Sequence, residues 1–221
     1  MNLNDIAKRL DECVLNQQST ASLRTEHPFD LQAAYQIQEL GVALREARGE
    51  KRVGVKLGFT SREKMQQMGV DHLIWGVITD TMQLEEGASV DLSRFIHPRI
   101  EPEVAFITRK EISSALNLAE AIDAIAGVCP AMEIIDSRYQ AFKFTLEDVV
   151  ADNTSSAGFV LGAMRPVNTD ISLQTEACIV SSTLTQPYQT LLQHLQTQAQ
   201  AQLLPRLKTW LPPSHADLDV R

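Results

Sequence analysis

The chain has 221 residues, of which 44% are hydrophobic and 22% charged, so it is long enough for one main folded core and is not a disordered protein. Its formal net charge of -8 argues against binding to nucleic acids or to anionic membranes. An anionic substrate would need local positive charge, from a metal or from placed Lys and Arg residues. The three cysteines form no CxxC pair, and residues 1–8 alternate polar and apolar residues without the apolar run of a signal peptide, so we expect a reducing, cytoplasmic location without disulfides or structural zinc.

Residues 1–50 are predicted to form a helical appendage. Apolar residues at three- and four-residue spacing from Leu3 onward predict a first amphipathic helix. A second helix is expected from Asp30, as its N-cap, to Arg48, with Gly49 just after its end.

A β-rich core is predicted for residues 51–180. The alternation in residues 53–57 predicts a strand whose valines face one side and whose Lys56 faces the other. Capping-box patterns predict short helices that begin after Thr60 and after Asn117, the second of them closed by Gly127. Further strands are expected at 74–79, 99–108, 130–136 and 157–162.

Two glutamates on the strand predicted for residues 99–108 are candidate metal ligands. Side chains alternate along a strand, so Glu101 and Glu103 project from one face. Two carboxylates that converge on a half-buried strand repel each other, and a divalent cation between them relieves this. The alternative is a solvated acidic face on an edge strand, which Pro102 would permit.

A third acid, Glu133, is flanked by apolar residues and is expected to be largely buried, where it needs a partner. Three carboxylates suit a hard cation such as Mg²⁺ or Mn²⁺, and the absence of clustered Cys or His argues against zinc. The alternative is an ion pair with Arg138 or Arg99. For Lys56, the pattern alone favours a solvent-reaching lysine at a strand edge. For residues 152–156, it favours a plain turn.

Five blocks in order resemble the 2-keto-4-pentenoate hydratase and 4-oxalocrotonate decarboxylase branch of the fumarylacetoacetate hydrolase superfamily. They span about residues 50–162 and read VGVKLGFTS, MQQMGV, HPRIEPEVAF, MEIIDSRYQAFKF and VADNTSS. The resemblance implies an α+β fold in which the N-terminal helices pack on a β-rich, mixed-sheet core.

The resemblance also implies a site. Its Mg²⁺ or Mn²⁺ would be held by three acids, Glu101, Glu103 and Glu133. Lys56 and Ser155 would be catalytic and would contact the substrate, a small anionic 2-keto acid, and Arg138 would help to bind it. The metal would chelate the C1 carboxylate and C2 oxygen of that acid, which supplies the positive charge that the chain lacks.

Two segments favour decarboxylation over hydration. Hydratases of the family typically carry Asp-Phe-Gly where this chain has residues 74–76, Ile-Trp-Gly, and residues 136–144 look like the decarboxylase version. We therefore expect 2-oxo-3-hexenedioate to be converted to 2-hydroxypenta-2,4-dienoate in the meta-cleavage catabolism of aromatic compounds. Trp75 and Phe59 are weaker candidates for a dry wall of the site. Hydration of 2-keto-4-pentenoate is the alternative reaction.

The resemblance stops at about Val180. Gly162 is the last of ten glycines, and residues 181–221 form an atypical tail rich in Gln and Leu, for which the pattern predicts an amphipathic helix and then an irregular, Pro-containing end. We expect a frameshifted or otherwise altered C-terminus, and a non-catalytic partner or remnant of the family is a second hypothesis. The family resemblance suggests a homo-oligomer or a complex with a homologous hydratase.

Overall fold

The computed structural model describes residues 1–60, 62, 65, 66 and 69–166. The helices are α1 (Leu3–Leu15), α2 (Leu23–Glu26), α3 (Leu31–Ala47), α4 (Leu118–Ala124) and α5 (Leu146–Ala151). The strands are β1 (Arg52–Gly58), β2 (Ile74–Thr79), β3 (Gln83–Leu84), β4 (Arg99–Thr108), β5 (Ile125–Ile135), β6 (Ser156–Leu161) and β7 (Arg165–Pro166). Helices and a mixed sheet together make the predicted α+β fold. No helix in the described part of the chain is long and apolar enough to span a membrane.

The two long N-terminal helices begin where the sequence predicts. Asn2 and Asp5 form a reciprocal capping box at the start of α1, with bonds of 2.9 and 3.2 Å. The carboxylate of Asp30 accepts the N–H of Ala33 at 2.8 Å and caps α3. Gly49 follows α3 with a φ of +99°, a conformation that favours glycine.

Most of the buried core of the helical layer comes from α1, α3 and α5. Its members are all apolar or aromatic: Ile6, Ala7, Leu10, Leu23, Phe29, Ala34, Ile37, Ile74, Tyr139, Val149, Val150 and Ala151. Gln38 of α3 is buried among them, and its Nε2 donates to the carbonyls of Trp75 and Val150, both at 3.0 Å. This amide therefore ties α3 to β2 and to α5, a helix that the sequence patterns above did not predict.

The strands form two sheets in the described residues. β1 and β2 are antiparallel, and Lys56 is opposite Gly76 in their register. The second sheet has the order β3-β6-β5-β4, with β7 paired to β5; β3 and β6 are parallel and β5 and β7 antiparallel. The bounds of β2 and β4 are those predicted from the sequence.

The prediction that a helix runs from Asn117 to Gly127 is wrong at its end. The Asn117 capping box is present, but α4 ends at Ala124 and β5 begins at Ile125. A Cβ on Gly127 would lie 2.7 Å from the carbonyl oxygen of Arg165, because β7 pairs closely with β5 at this point. Gly127 therefore permits strand pairing instead of closing a helix.

The described chain falls into two compact units. Unit 1 consists of Met1–Glu101 and Met132–Val160, and unit 2 contains Pro102–Ala131 and the described residues 161–166. The boundaries expected near residues 50 and 180 stay predictions. The predicted helix after Thr60 lies mostly outside the described residues, and the tail predicted to be altered, residues 181–221, lies wholly outside them.

Candidate active site

Lys56 faces inward from β1, whereas the valines of that strand face outward. Val53 and Val55 are 51% and 37% exposed, and the Lys56 side chain is 12% exposed. The Lys56 Nζ lies 3.1 Å from Glu133 Oε2 and donates to the carbonyl of Thr154 at 3.2 Å. The ammonium is thus held from two sides instead of reaching into solvent at a strand edge.

Glu133 is buried in β5 and pairs with Lys56, not with Arg138 or Arg99, so the sequence-based alternative named the wrong cation. Burial raises the pKa of the Glu133 carboxyl; Lys56 opposes this shift, and the charge of Glu101 adds to it. The second carboxylate oxygen, Oε1, is buried and has no hydrogen-bond partner among the described residues. An ion or an ordered water would satisfy a buried acceptor of this kind.

Glu101, Glu103 and Glu133 come together as the sequence predicts. Each offers one carboxylate oxygen, and these oxygens lie within 4.8 Å of one another. Glu101 and Glu103 are exposed, and Glu133 is buried. A divalent cation would relieve the repulsion between these three converging carboxylates. Together with the unpartnered Oε1 of Glu133, this donor set fits Mg²⁺ or Mn²⁺.

The two arginines considered for Glu133 have other partners. Arg138 is buried, pairs with the Asp152 carboxylate and donates to the Asp136 carbonyl at 2.8 Å. The Arg99 guanidinium lies 3.7 Å from the centre of the Phe142 ring. These contacts give Arg138 an anchoring role within the fold, and the substrate-binding role expected for it stays a prediction.

Residues 153–155, expected to be a plain turn, form a left-handed turn instead. Asn153, Thr154 and Ser155 have φ values of +49°, +49° and +60°. Each such residue costs about 1–2 kcal/mol unless it is glycine, and a β-branched threonine is a genuine outlier there. Strain of this kind persists where the surrounding structure enforces it, and it clusters at functional sites.

The hydroxyls of this turn are buried. Ser155 and Thr154 are each 3% exposed, and their Oγ atoms have no hydrogen-bond partner in the part of the chain that the structure describes. Ser155, expected to be catalytic, directly follows the residue whose carbonyl accepts from Lys56. Its hydroxyl is therefore an unengaged donor and acceptor beside the lysine-bound turn.

Gly76 lets the turn come close to β2. A Cβ at this position would lie 2.1 Å from Thr154 Oγ1 and 2.6 Å from the carbonyl oxygen of Asn153. Neither Gly76 nor Asn153 was predicted from the sequence to belong to the site. The only signal was the Asn in the cluster of residues 152–156, because Asn tolerates left-handed backbone better than most residues.

The other residues of the Ile-Trp-Gly segment face the helical layer. Ile74 is 2% exposed and belongs to the apolar core. Trp75 stacks on Tyr35 of α3 with ring centroids 4.9 Å apart, and Phe59 packs against the same core. The expected role of Trp75 and Phe59 as a wall of the site stays a prediction.

No family model matches the sequence. A 4-oxalocrotonate decarboxylase from a Pseudomonas species is 48% identical over 172 residues, which are 78% of this chain and 67% of that relative. A 2-keto-4-pentenoate hydratase from Paraburkholderia phymatum is 35% identical over 183 residues, 82% of this chain and 69% of the relative. The chain belongs to the 4-oxalocrotonate decarboxylase and 2-keto-4-pentenoate hydratase family.

The fold agrees with this family. The structure of 4-oxalocrotonate decarboxylase from Pseudomonas putida G7, complexed with magnesium and adipate, matches with a TM-score of 0.75 at 37% identity. The match covers 78% of this chain and 66% of that one. This chain thus spans about two thirds of the length of the family members it matches. The family predicted from the five sequence blocks is confirmed.

Proposed function

We propose that this chain is a metal-dependent decarboxylase that converts 2-oxo-3-hexenedioate to 2-hydroxypenta-2,4-dienoate in the catabolism of aromatic compounds. The observation that carries the proposal is the clustering of three carboxylates, one of them on the lysine-paired Glu133, in a chain 48% identical to a 4-oxalocrotonate decarboxylase. Adipate, present with magnesium in the Pseudomonas putida G7 structure, has the same six-carbon dicarboxylate skeleton as the proposed substrate.

The residues proposed to hold Mg²⁺ or Mn²⁺ are Glu101, Glu103 and Glu133. When bound, the divalent cation would supply Lewis-acid polarisation to the C1 carboxylate and C2 oxygen of the 2-keto acid. Glu133 contributes the buried oxygen of the set, and its other oxygen stays with Lys56 at 3.1 Å. The same carboxylate therefore orients the lysine and faces the proposed cation.

Lys56 is proposed to act at the C2 oxygen of the substrate. The bond to the far carboxylate breaks, CO₂ leaves, and the electron pair moves through the conjugated chain to the C2 oxygen, which then takes a proton. An ammonium has three N–H donors, and the Lys56 contacts to described residues use two of them, at Glu133 and Thr154; the third is proposed to serve the substrate. A hydrogen bond or proton from Nζ stabilises the charge that develops on this oxygen.

Ser155 is proposed to bind the substrate through its buried hydroxyl, which has no partner among the described residues. Arg138 is proposed to support substrate binding through the turn, because it holds the Asp152 carboxylate directly before residues 153–155. The proposed partner is thus a small anionic 2-keto acid. For the assembly we propose a homo-oligomer or a complex with a homologous hydratase.

Hydration of 2-keto-4-pentenoate is the second candidate, and the 35% identity to a hydratase of that name favours it. Against it, the position where family hydratases carry an acid is Ile74, an apolar side chain in the helical core. Without a carboxylate at this position, the chain lacks the acid that is expected to activate the added water.

One assay distinguishes these reactions. In separate incubations with Mg²⁺, the protein is given either 2-oxo-3-hexenedioate, with CO₂ release followed, or 2-hydroxypenta-2,4-dienoate, with its consumption followed. We expect CO₂ without hydration; hydration without CO₂ would overturn the proposal in favour of the hydratase. Protein that is monodisperse, binds Mn²⁺ and turns over neither compound would instead indicate a non-catalytic member of the family.

A further inference from the structure

The side chain of Asn153 replaces a third strand at the free edge of β2. Its Oδ1 accepts the N–H of Val77 at 2.7 Å, and its Nδ2 donates to the carbonyl of the same residue at 2.8 Å. In an antiparallel pair, alternate residues direct both backbone groups away from their partner strand. Val77 is buried, so its two outward groups need partners, and one carboxamide supplies both.

This pairing fixes where the left-handed turn lies. Asn153 is its first residue, so docking the Asn153 side chain on Val77 holds the backbone that follows against β2. The next carbonyl, that of Thr154, accepts from Lys56 Nζ at 3.2 Å. The missing side chain of Gly76 leaves the space for this approach. A continuous set of contacts thus leads from Val77 through the turn to the lysine.

We propose that Asn153 is the positioning residue for Lys56 and for the Ser155 hydroxyl, an inference that rests on the proposed function. Asn153 touches no substrate in this view. It acts through the backbone of the turn, which directs the Thr154 carbonyl at Lys56 and presents the next hydroxyl to the site. This positioning role is separate from metal binding, because both of these side-chain hydrogen bonds of Asn153 are to Val77 of β2.

The test compares Asn153→Ala and Asn153→Asp with the wild-type chain. The Asp variant has nearly the same shape and still accepts from the Val77 N–H, but in its ionised form it cannot donate to the Val77 carbonyl. We measure thermal unfolding, Mg²⁺ binding by calorimetry, kcat and KM for CO₂ release, and the ¹³Cε resonance of Lys56 in lysine-labelled protein. The Lys56→Met variant assigns that resonance. Asn16→Ala, at an exposed asparagine whose amide donates to the Glu12 carbonyl, is the matched control.

We expect the Ala variant to bind Mg²⁺ as the wild type does and to lose about 100-fold in kcat with a smaller change in KM, as a displaced catalytic group predicts. Its Lys56 resonance should move toward those of the exposed lysines, and the Asp variant should show the same changes to a lesser degree. The control should show neither change.

A folded Ala variant with wild-type kcat, or with an unmoved Lys56 resonance, would overturn the inference. If the Ala variant does not fold, the nearly isosteric Asp variant decides by the same two readouts. If the wild-type chain releases no CO₂, the proposed function fails, and the Lys56 resonance alone decides whether Asn153 positions the lysine.

Discussion

The helical layer and the candidate site obey different rules. In α1 and α3, apolar stripes face the core and polar side chains cap the helix starts, as local sequence rules require. At the site, three consecutive non-glycine residues have left-handed backbone, and a carboxylate oxygen and two hydroxyls are buried without partners among the described residues. Local rules are expected to fail where function requires it. Substitutions in the first region should therefore change stability, and those in the second should change activity.

The largest expected effect is at Glu133. Glu133→Gln keeps the size of the side chain but removes the charge that faces Glu101 and Glu103. We expect Mn²⁺ affinity to fall by more than about 100-fold. Removing a residue that only hydrogen-bonds to a metal ligand already lowers affinity by about 10- to 100-fold, and removing a ligand itself should lower it further. Metal-dependent CO₂ release should be abolished. Calorimetry with Mn²⁺ measures the first effect, and Glu86→Gln, at an exposed glutamate, is the control.

A Glu133→Gln protein with full activity would remove the metal assignment. Retained Mn²⁺ binding with no turnover would instead leave the cation with Glu101 and Glu103 and restrict Glu133 to holding Lys56. Glu101→Gln and Glu103→Gln tested beside it separate these results, because both should abolish metal-dependent turnover with the fold intact.

Ser155→Ala should separate activity from stability. The Ser155 hydroxyl is buried and has no partner among the described residues, so removing it should leave the free energy of unfolding unchanged or slightly raised. Turnover should fall by about 100-fold, because the hydroxyl proposed to bind and orient the substrate is lost. Urea unfolding and CO₂ release measure the two effects, with Ser89→Ala at an exposed serine as the control. A clear loss of stability with normal turnover would contradict the contrast between the two regions.

Much of the fold could be predicted because its signals are local. Helical periodicity and the Asp30 cap locate α3, and strand alternation gives the bounds of β2 and β4. The helix α5 carries such a signal too, a capping box of Thr145 and Asp148, but it has only six residues and a short periodic pattern is weak. Gly127 lies in a strand and not at a helix end because β7 pairs with it, a contact that the local sequence does not encode.

From the residues alone, only the acids of the site could be predicted; Lys56 and Ser155 were expected from the family resemblance. Glu101 and Glu103 share a face by strand geometry alone, and Glu133 follows from its apolar neighbours together with the family resemblance. The partner of Glu133 is Lys56, on a strand far away in sequence, which no local pattern encodes. The role of Asn153 depends equally on a tertiary contact, the free edge of β2, and on a backbone conformation that sequence rules disfavour.

The pH dependence of unfolding in a Glu50 variant tests the helical layer. Burial raises the pKa of this carboxyl, but hydrogen bonds from Thr79 and Thr81, at 2.6 and 2.7 Å, and the charge of Arg45 outweigh it and lower the pKa overall. A lowered pKa means that Glu50 stabilises the fold above the pKa of the unfolded state and loses this contribution as the pH falls through its own pKa. Glu50→Gln should therefore cost about 1–2 kcal/mol at pH 7 and progressively less in acid.

Urea unfolding of both proteins from pH 7 downward measures this difference. The catalytic constant should stay at the wild-type value, since Glu50 joins the end of α3 to β2 and contacts none of the proposed catalytic side chains. A difference in stability that grows as the pH falls would contradict the assigned hydrogen bonds.

The smallest expected effect is at the start of α3. Asp30→Ala removes the acceptor of the Ala33 N–H and should lower the free energy of unfolding by about 1 kcal/mol. Asp30→Asn is the matched control, because Asn caps a helix about as well as Asp does. Since α3 also holds β2 through Gln38, a disturbance of the helix start that reached the site would lower kcat in the Ala variant and not in the Asn variant. We expect equal kcat values, because the cap and Gln38 are two turns apart and the intervening helix is packed against α1.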